Sequence, residues 1–372
     1  MRLIPIGCVR PDTYLAKTIY DHEGKPLLKA GALLTKRVIK KLREINIYSI
    51  YVIDEYSSSE IQDIIKPELR QKSIKKVHDS FMNLEKLYLE PYLCASSYKS
   101  NEIIKKQDSI IKELYNVAHE LLDNILSNKN VLVNLVDIKT MDNYTYQHSV
   151  NVAVLSIVIG MGLKLNKSRL LDLALGALLH DIGKIFVPKE ILLKPGKLTP
   201  EEYDEIKKHP KRGYEYVSKF SFISSVSKII ILEHHEKYDG TGYPDGISAD
   251  QINLLANVVS IADVYDALTS DRPYKKPMCP NDAFEYILGN ADKMFRFDIV
   301  NIFSKVIVPY PEGTMVKLSN GDIAIVQGTP CDYPLRPIVK VIKSEEKGKE
   351  GSIIDLGESL SLVISNIEYN LA

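Results

Sequence analysis

The sequence has few cysteines and shows no pairing pattern among them. The four, Cys8, Cys94, Cys279 and Cys331, are scattered over 372 residues without a C-x-x-C spacing. Disulfide frameworks and thiolate zinc sites both depend on clustered or paired cysteines, so neither is expected here. This scatter suits a reducing compartment, and we expect the protein to be cytoplasmic.

An excess of one charge and a long apolar segment are also missing. Lys and Arg total 48, as do Asp and Glu, so there is no basic field to hold a nucleic acid polymer. The longest nearly apolar stretch, residues 152–163, is much shorter than the roughly twenty residues of a spanning helix. Residues 1–5 lack the apolar core of a signal peptide. We therefore expect no nucleic acid partner, no membrane span and no export by a signal peptide.

Turn signals and apolar periodicity divide the chain into four segments. Residues 1–55 mix short apolar strands with a short helix, which indicates a small α+β module. Residues 56–127 are helical and charged, like a connector, and residues 128–308 are dominated by apolar helical patterns. Residues 309–372 alternate apolar and polar positions, which is typical of a small β module. The expected fold class is therefore mainly α, with a small module at each end.

A partial heptad pattern lies within the connector, over residues 104–125. Its apolar positions are Ile104, Ile111, Leu114, Ala118, Leu121 and Ile125. Exposed positions of this kind would stay wet on a monomer, so they predict a homodimer paired through this seam. An amphipathic helix that packs on its own chain explains the pattern equally well, and the sequence leaves both interpretations open.

Histidines and carboxylates cluster in the third segment, where five of the eight histidines lie between residues 148 and 235. At the centre, His180 and Asp181 follow the apolar residues 170–179, which cover every side of a helix and should be buried. Buried imidazole and carboxylate groups need partners. A hydrogen-bonded pair at a helix end is the plain explanation, but a shared metal explains the whole cluster. The other candidate ligands are His148, His209, His234, His235 and Asp263.

Nitrogen and oxygen ligands without thiolates suit iron, manganese, zinc or another first-row ion. Seven candidates are too many for one ion, so we expect two, with Asp181 as the bridge. His148, His180 and Asp263 would hold one ion, and His209 and His234 the other. Two ions about 3.5–4 Å apart activate water at neutral pH and stabilise both oxygens of a phosphoryl transfer.

Nearby cations suggest that the substrate carries phosphate. Lys184 follows His180 by one helical turn, and Arg272 and Lys275 follow the helix of Asp263, so all three could contact phosphate oxygens. Tyr243, in a loop rich in glycine and proline, offers a ring for stacking on a base. Taken singly, each of these residues is equally well explained as an ordinary surface charge or as part of a turn.

Two motifs resemble the paired signature of HD-GYP domains, a branch of the HD phosphohydrolase superfamily. They are His180-Asp181-x-x-Lys184 and His234-His235-Glu236-x-x-Asp239-Gly240-x-Gly242-Tyr243-Pro244. The resemblance covers about residues 144–308 and implies a helical domain with two or three metal ions. It further implies hydrolysis of cyclic di-GMP to pGpG or GMP, and some members prefer cyclic GMP-AMP.

The resemblance also assigns roles to residues. It makes metal ligands of His148, His180, Asp181, His209, His234, His235 and Asp263. It makes nucleotide contacts of Lys184, Tyr243, Arg272 and Lys275, with Asp181 and Lys184 central to catalysis. His235 is an awkward ligand beside His234, because adjacent helical side chains diverge by about 100°.

The chain departs from the resemblance at one position. Members with three ions carry a glutamate four residues before the first histidine, and here that position is Tyr144. A neutral phenol is a poor substitute for a carboxylate. We therefore predict two ions, iron or manganese.

Other functions compete with hydrolysis of a cyclic dinucleotide. An HD-type nucleotidase or a diiron oxygenase would use similar ligands, but neither explains Gly242-Tyr243-Pro244. A cyclic di-GMP receptor that binds without cleaving would have no need for the full set of ligands.

Overall fold

The structure is a computed structural model that describes residues 1–21, 25–45, 47, 49–57, 64–89, 97–128, 144–270, 278–330 and 333–370. The fold is mainly α with a small strand-containing module near each end, as the sequence predicts. Within the described parts, no helix combines the length and apolar character that a membrane crossing requires.

The N-terminal module is an antiparallel sheet with one helix. Its elements are β1 (Arg2–Pro5), β2 (Thr13–Leu15), β3 (Ile19–Tyr20), β4 (Pro26–Leu28), β5 (Leu33–Leu34), α1 (Lys36–Glu44) and β6 (Ser49–Ile53). Four strands form one sheet in the order β1-β6-β2-β5, and β3 pairs with β4. Thr35 caps α1 by accepting a hydrogen bond from the backbone N–H of Val38. The module has its own apolar core.

The predicted connector forms two long helices, α2 (Pro67–Leu89) and α3 (Ser97–Ser127), which pack on α4 (Tyr144–Gly162) and α5 (Lys167–Leu179). Five of the six heptad positions, from Ile111 to Ile125, are at most 2% exposed in the same core as α4 and α5. Ile104 alone among the six remains exposed, at 52%. The apolar seam is thus covered within the chain, which favours the amphipathic interpretation over pairing between copies.

Two short helices follow α5, namely α6 (Lys189–Leu192) and α7 (Pro200–Ile206), and neither contains a buried residue. The core, which extends from Ile64 to Ile307, is completed by α8 (His209–Val217), α9 (Ser225–Glu233), α10 (Leu254–Thr269), α11 (Pro280–Leu288) and α12 (Phe297–Val306). A capping box of Thr199 and Glu202 begins α7. This helix ends at Ile206, and α8 begins at His209 with Pro210 in its first turn, where proline is tolerated.

The C-terminal module is a five-stranded antiparallel sheet in the order β10-β9-β8-β7-β11. Its strands are β7 (Met315–Leu318), β8 (Ile323–Gly328), β9 (Ile338–Lys343), β10 (Ile353–Asp355) and β11 (Ile364–Ile367). The turn between β7 and β8 contains Gly321 at φ 91°, a conformation that glycine adopts without strain.

Candidate metal centre

Helix ends and helix interiors bring the predicted ligands together. They are supplied by α4 (His148), the end of α5 (His180, Asp181), the start of α8 (His209), the end of α9 (His234, His235) and α10 (Asp263). All but His235 are buried. The helices that supply them share one apolar core, so these polar groups face one another inside it.

The ligand atoms form two groups, and within each group they lie within 4.8 Å of one another. One group is Asp181, His209, His234 and His235, and the other is His148, His180 and Asp263. Asp181 lies between them, because its Oδ1 is 3.3 Å from His209 Nε2 and its Oδ2 is 3.4 Å from His180 Nε2. A carboxylate with one oxygen toward each group is suited to bridging two cations.

Backbone carbonyls orient three of the imidazoles. The Nδ1 atoms of His180, His209 and His234 lie 2.7, 2.8 and 2.9 Å from the carbonyl oxygens of Ala177, Ile206 and Ile231. A carbonyl can only accept, so each Nδ1 carries the hydrogen and each Nε2 presents a lone pair inward. Proteins commonly orient metal-binding histidines in this way.

The inward nitrogens fit a cation. His209 Nε2 and His234 Nε2 are 3.3 Å apart, and neither ring can donate to the other when both Nδ1 atoms are already donors. His180 Nε2 is buried without a hydrogen-bond partner among the described residues. A buried acceptor left unpaired costs about 1–3 kcal/mol. Cations bound between these lone pairs would remove both penalties.

The ionisation states of His209, His234 and Asp181 also suit metal binding. Burial lowers the pKa of His209 and that of His234, so both rings are neutral at pH 7. Burial alone would raise the pKa of Asp181, but the charge of Lys184 holds it well below its usual range. Neutral imidazole and ionised carboxylate are the forms that ligate metals.

His148 is held by two carboxylates. Its Nε2 is 3.0 Å from Asp263 Oδ1, and its Nδ1 is 2.7 Å from Asp266 Oδ2. Burial lowers the pKa of His148, but the hydrogen bonds to Asp263 and Asp266 outweigh it and raise the pKa to about 9. Asp266 was not among the predicted site residues. Its spacing of three from Asp263, on the same helical face, was the available signal.

The predicted nucleotide contacts are only partly described. Lys184 Nζ donates to Asp181 Oδ2 at 2.6 Å, and the side chain of Lys184 is 28% exposed. The ring of Tyr243 lies 4.7 Å, centroid to centroid, from that of His235. Arg272 and Lys275 lie outside the described residues, and so does the side chain of Tyr144.

The loop of Tyr243 folds back tightly on the end of α9. A Cβ on Gly242 would overlap the backbone of Glu236 and Lys237, so only glycine fits there. Buried Glu236 fastens the loop, since its Oε1 accepts hydrogen bonds from the N–H groups of Asp245 and Gly246 at 2.7 and 3.1 Å. The motif residues therefore place Tyr243 beside the ligand cluster.

Fold and site together define a helical protein with a buried cluster of metal-binding side chains. Residues 120–299 match the HD domain family, and residues 315–368 match the KOW domain associated with the HD domain. The chain is 37% identical over 277 residues to a cyclic di-GMP phosphodiesterase of Pseudomonas aeruginosa, which covers 72% of this chain and 66% of that protein. It is 31% identical over 269 residues to a cyclic di-GMP phosphodiesterase of Thermotoga maritima, covering 69% of this chain and 71% of that one.

A 3'3'-cGAMP-specific phosphodiesterase of Vibrio cholerae is 38% identical over 184 residues, covering 48% of this chain and 42% of that protein. The chain belongs to the HD domain family, and its two motifs place it in the HD-GYP branch.

Proposed function

We propose that the protein is a metal-dependent phosphodiesterase that hydrolyses a cyclic dinucleotide, with cyclic di-GMP converted to pGpG, to GMP or to both. The observation that carries this proposal is the position of Asp181, with one carboxylate oxygen toward each of two ligand groups. The names of the Pseudomonas and Thermotoga relatives support cyclic di-GMP as the substrate. The Vibrio relative makes cyclic GMP-AMP the second candidate.

The seven clustered side chains would hold two divalent ions, for which iron and manganese match the nitrogen and oxygen donors. When bound, a pair of such ions polarises the phosphate and lowers the pKa of water. Asp181 would bridge them. His148, His180 and Asp263 would hold the first ion, and His209, His234 and His235 the second.

Residues around this centre would bind and orient the nucleotide. Lys184 is anchored on Asp181, and its partly exposed ammonium group could stabilise charge on a phosphate oxygen. Tyr243, packed on His235, could stack on a base or donate its hydroxyl. Arg272 and Lys275 are proposed as further phosphate contacts because of their place in the motif.

Two other functions compete with this one. A receptor would bind cyclic di-GMP and leave it intact, and an HD-type nucleotidase would cleave a linear nucleotide instead. The convergence of all seven ligand candidates favours hydrolysis, since binding alone needs no such centre. Gly242, Tyr243 and Pro244, which form the loop beside His235, favour the cyclic dinucleotide.

The deciding experiment incubates pure, metal-loaded protein with cyclic di-GMP, 3'3'-cGAMP or linear GMP, and resolves the products by chromatography. Linear product from a cyclic dinucleotide supports the proposal and identifies the preferred substrate. Retention of cyclic di-GMP without cleavage would indicate a receptor. Cleavage of GMP alone would indicate a nucleotidase.

A further inference from the structure

A buried arginine outside the HD domain match contributes to the surroundings of His148. Arg70 lies in α2, before residues 120–299, and is 7% exposed. Its Nη1 donates to Asn151 Oδ1 at 2.6 Å, and Asn151 Nδ2 donates to Asp266 Oδ1 at 3.0 Å. The other oxygen of Asp266 lies 2.7 Å from His148 Nδ1. A continuous series of hydrogen bonds thus joins α2 to a predicted metal ligand.

The direction of each hydrogen bond in this series follows from the first. A guanidinium has donors and no acceptor, so the oxygen of Asn151 must face Arg70. The amide nitrogen of Asn151 must then face Asp266. With that contact made, Asp266 Oδ2 accepts from Ser270 Oγ at 3.1 Å and from His148 Nδ1. His148 Nδ1 therefore donates to Asp266, and this fixes the ring with Nε2 turned toward Asp263, as the nitrogen that would face a metal ion.

Charge explains why an arginine suits the position. Asp266 is 2% exposed, and a buried carboxylate is costly unless it is hydrogen-bonded and balanced by positive charge. Arginine remains charged at every physiological pH. Removing it would take away the positive charge nearest this hydrogen-bonded series and the donor that fixes the Asn151 oxygen. The amide of Asn151 would then be held less firmly against Asp266, which would weaken the support of His148.

We propose that Arg70 is a positioning residue for one of the two metal sites, the one formed by His148, His180 and Asp263. The other group does not depend on it, because His209 and His234 are oriented by the backbone carbonyl groups of Ile206 and Ile231. The helix α2 thereby influences the affinity of one ion. This inference rests on the proposed function only in requiring that metal ions bind.

The test measures Mn²⁺ binding to the full-length protein by calorimetry, for the wild type, Arg70→Met and Arg70→Lys. Outer partners of metal ligands typically contribute about 10- to 100-fold in affinity, and we expect about tenfold weaker binding in one step for Arg70→Met. The other step should change less than about twofold, and Arg70→Lys should recover part of the loss. Lys72→Met is the matched control, because Lys72 is on the same helix but pairs with Glu120 at the surface.

A double substitution separates positioning from general support of the fold. Asn151→Leu should weaken the same step, and adding Arg70→Met to it should cause no further weakening, since both act through one amide. Additive losses would overturn the proposal. Equal weakening of both steps, or no change in either, would also overturn it. If Arg70→Met does not fold, Arg70→Lys and Asn151→Leu must still weaken one step selectively for the proposal to stand.

The outcome is independent of the substrate. Selective loss of one Mn²⁺ step in a protein that cleaves no cyclic dinucleotide would sustain the role of Arg70 while refuting the proposed function. Hydrolysis of a cyclic dinucleotide with both Mn²⁺ steps unaffected by Arg70→Met would support the proposed function and refute the role of Arg70. A wild-type protein that binds fewer than two Mn²⁺ ions would refute the selective effect.

Discussion

At the scale of single residues, Asp181 lies close to both groups of candidate ligands, which the motif spacing alone does not show. Each of its oxygens lies near a histidine, and Lys184 donates a hydrogen bond to one of the two oxygens. We expect Asp181→Ala to abolish hydrolysis and to remove most of the bound metal, because both ions lose a shared ligand. Metal analysis and product chromatography would measure this. Asp172→Ala, on the same helix but away from the cluster, is the control, and normal metal content in Asp181→Ala would refute the bridge.

Our prediction for the number of ions depends on Tyr144. Because a phenol with a pKa near 10 replaces the glutamate of the three-metal members, we expect two tightly held ions per chain. Elemental analysis after dialysis would count them, and Tyr144→Glu should admit a third. Three equivalents in the wild-type protein would contradict this prediction.

Arg272 is predicted to bind a phosphate oxygen of the substrate and not to ligate a metal ion. Arg272→Ala should therefore keep the metal content and raise KM, by roughly tenfold to a hundredfold if one charge-assisted hydrogen bond of about 1.5–3 kcal/mol is lost. Steady-state kinetics and metal analysis on the same preparation test this. Unchanged KM and kcat would make Arg272 an ordinary surface charge.

Residue types and motif spacing were enough to predict which side chains would cluster around Asp181. The supporting shell was not predictable in the same way. Asp266 and His148 are 118 positions apart, and Arg70 and Asn151 are 81 apart. Such pairs are created by the packing of helices, and a single sequence does not show which residues of two packed helices lie opposite each other.

At the scale of elements, the short 3-10 helix Ile182–Phe186 must approach α8 very closely. A Cβ on Gly183 would overlap the carbonyl group of His209 and crowd the N–H of Gly213. The absence of a side chain at Gly183 thus lets His209 reach Asp181. Gly183 occupies one of the two unspecified positions between Asp181 and Lys184 in the motif, so the motif does not reveal that this glycine is required for packing.

We expect Gly183→Ala to push α8 away from Asp181, which should lower the free energy of unfolding by about 1–3 kcal/mol or more and weaken metal binding. Thermal unfolding and Mn²⁺ titration would measure the two effects. Gly328→Ala is the matched control, because a Cβ there meets nothing within 4 Å. Equal behaviour of the two variants would show that the close approach has no consequence.

Helix starts were predictable where a side chain caps them, as at Thr35, Thr199 and Ser224. The surface against which an apolar helix face packs was not predictable. Periodicity in residues 104–125 shows that one face is apolar, but an intrachain core and a coiled coil demand the same pattern. Only the packing of α3 on α2, α4 and α5 distinguishes them.

At the scale of the whole molecule, the two ends of the chain meet. Arg2 pairs with Asp54 at 2.6 Å and donates to the carbonyl oxygen of Tyr369 at 3.2 Å. Asn370 Nδ2 donates to the carbonyl oxygen of Cys8, also at 3.2 Å, and Tyr369 packs on the apolar core of the N-terminal module. The C-terminal tail therefore joins the two small modules, a contact that spans 367 positions and has no signature in the sequence.

The whole molecule also shows which of two roles the heptad seam has, packing in the chain's own core or pairing between copies. Leu114 is 0% exposed within the core that also holds α4 and α5, whereas Ile104 is 52% exposed. If the seam serves the chain's own core, Leu114→Ala should cost about 2–5 kcal/mol of unfolding free energy and loosen the metal centre. Ile104→Asp should stay within about 0.5 kcal/mol of the wild type. Neither substitution should change the molar mass measured by light scattering, and a lower mass for Ile104→Asp would instead establish pairing between copies through residues 104–125.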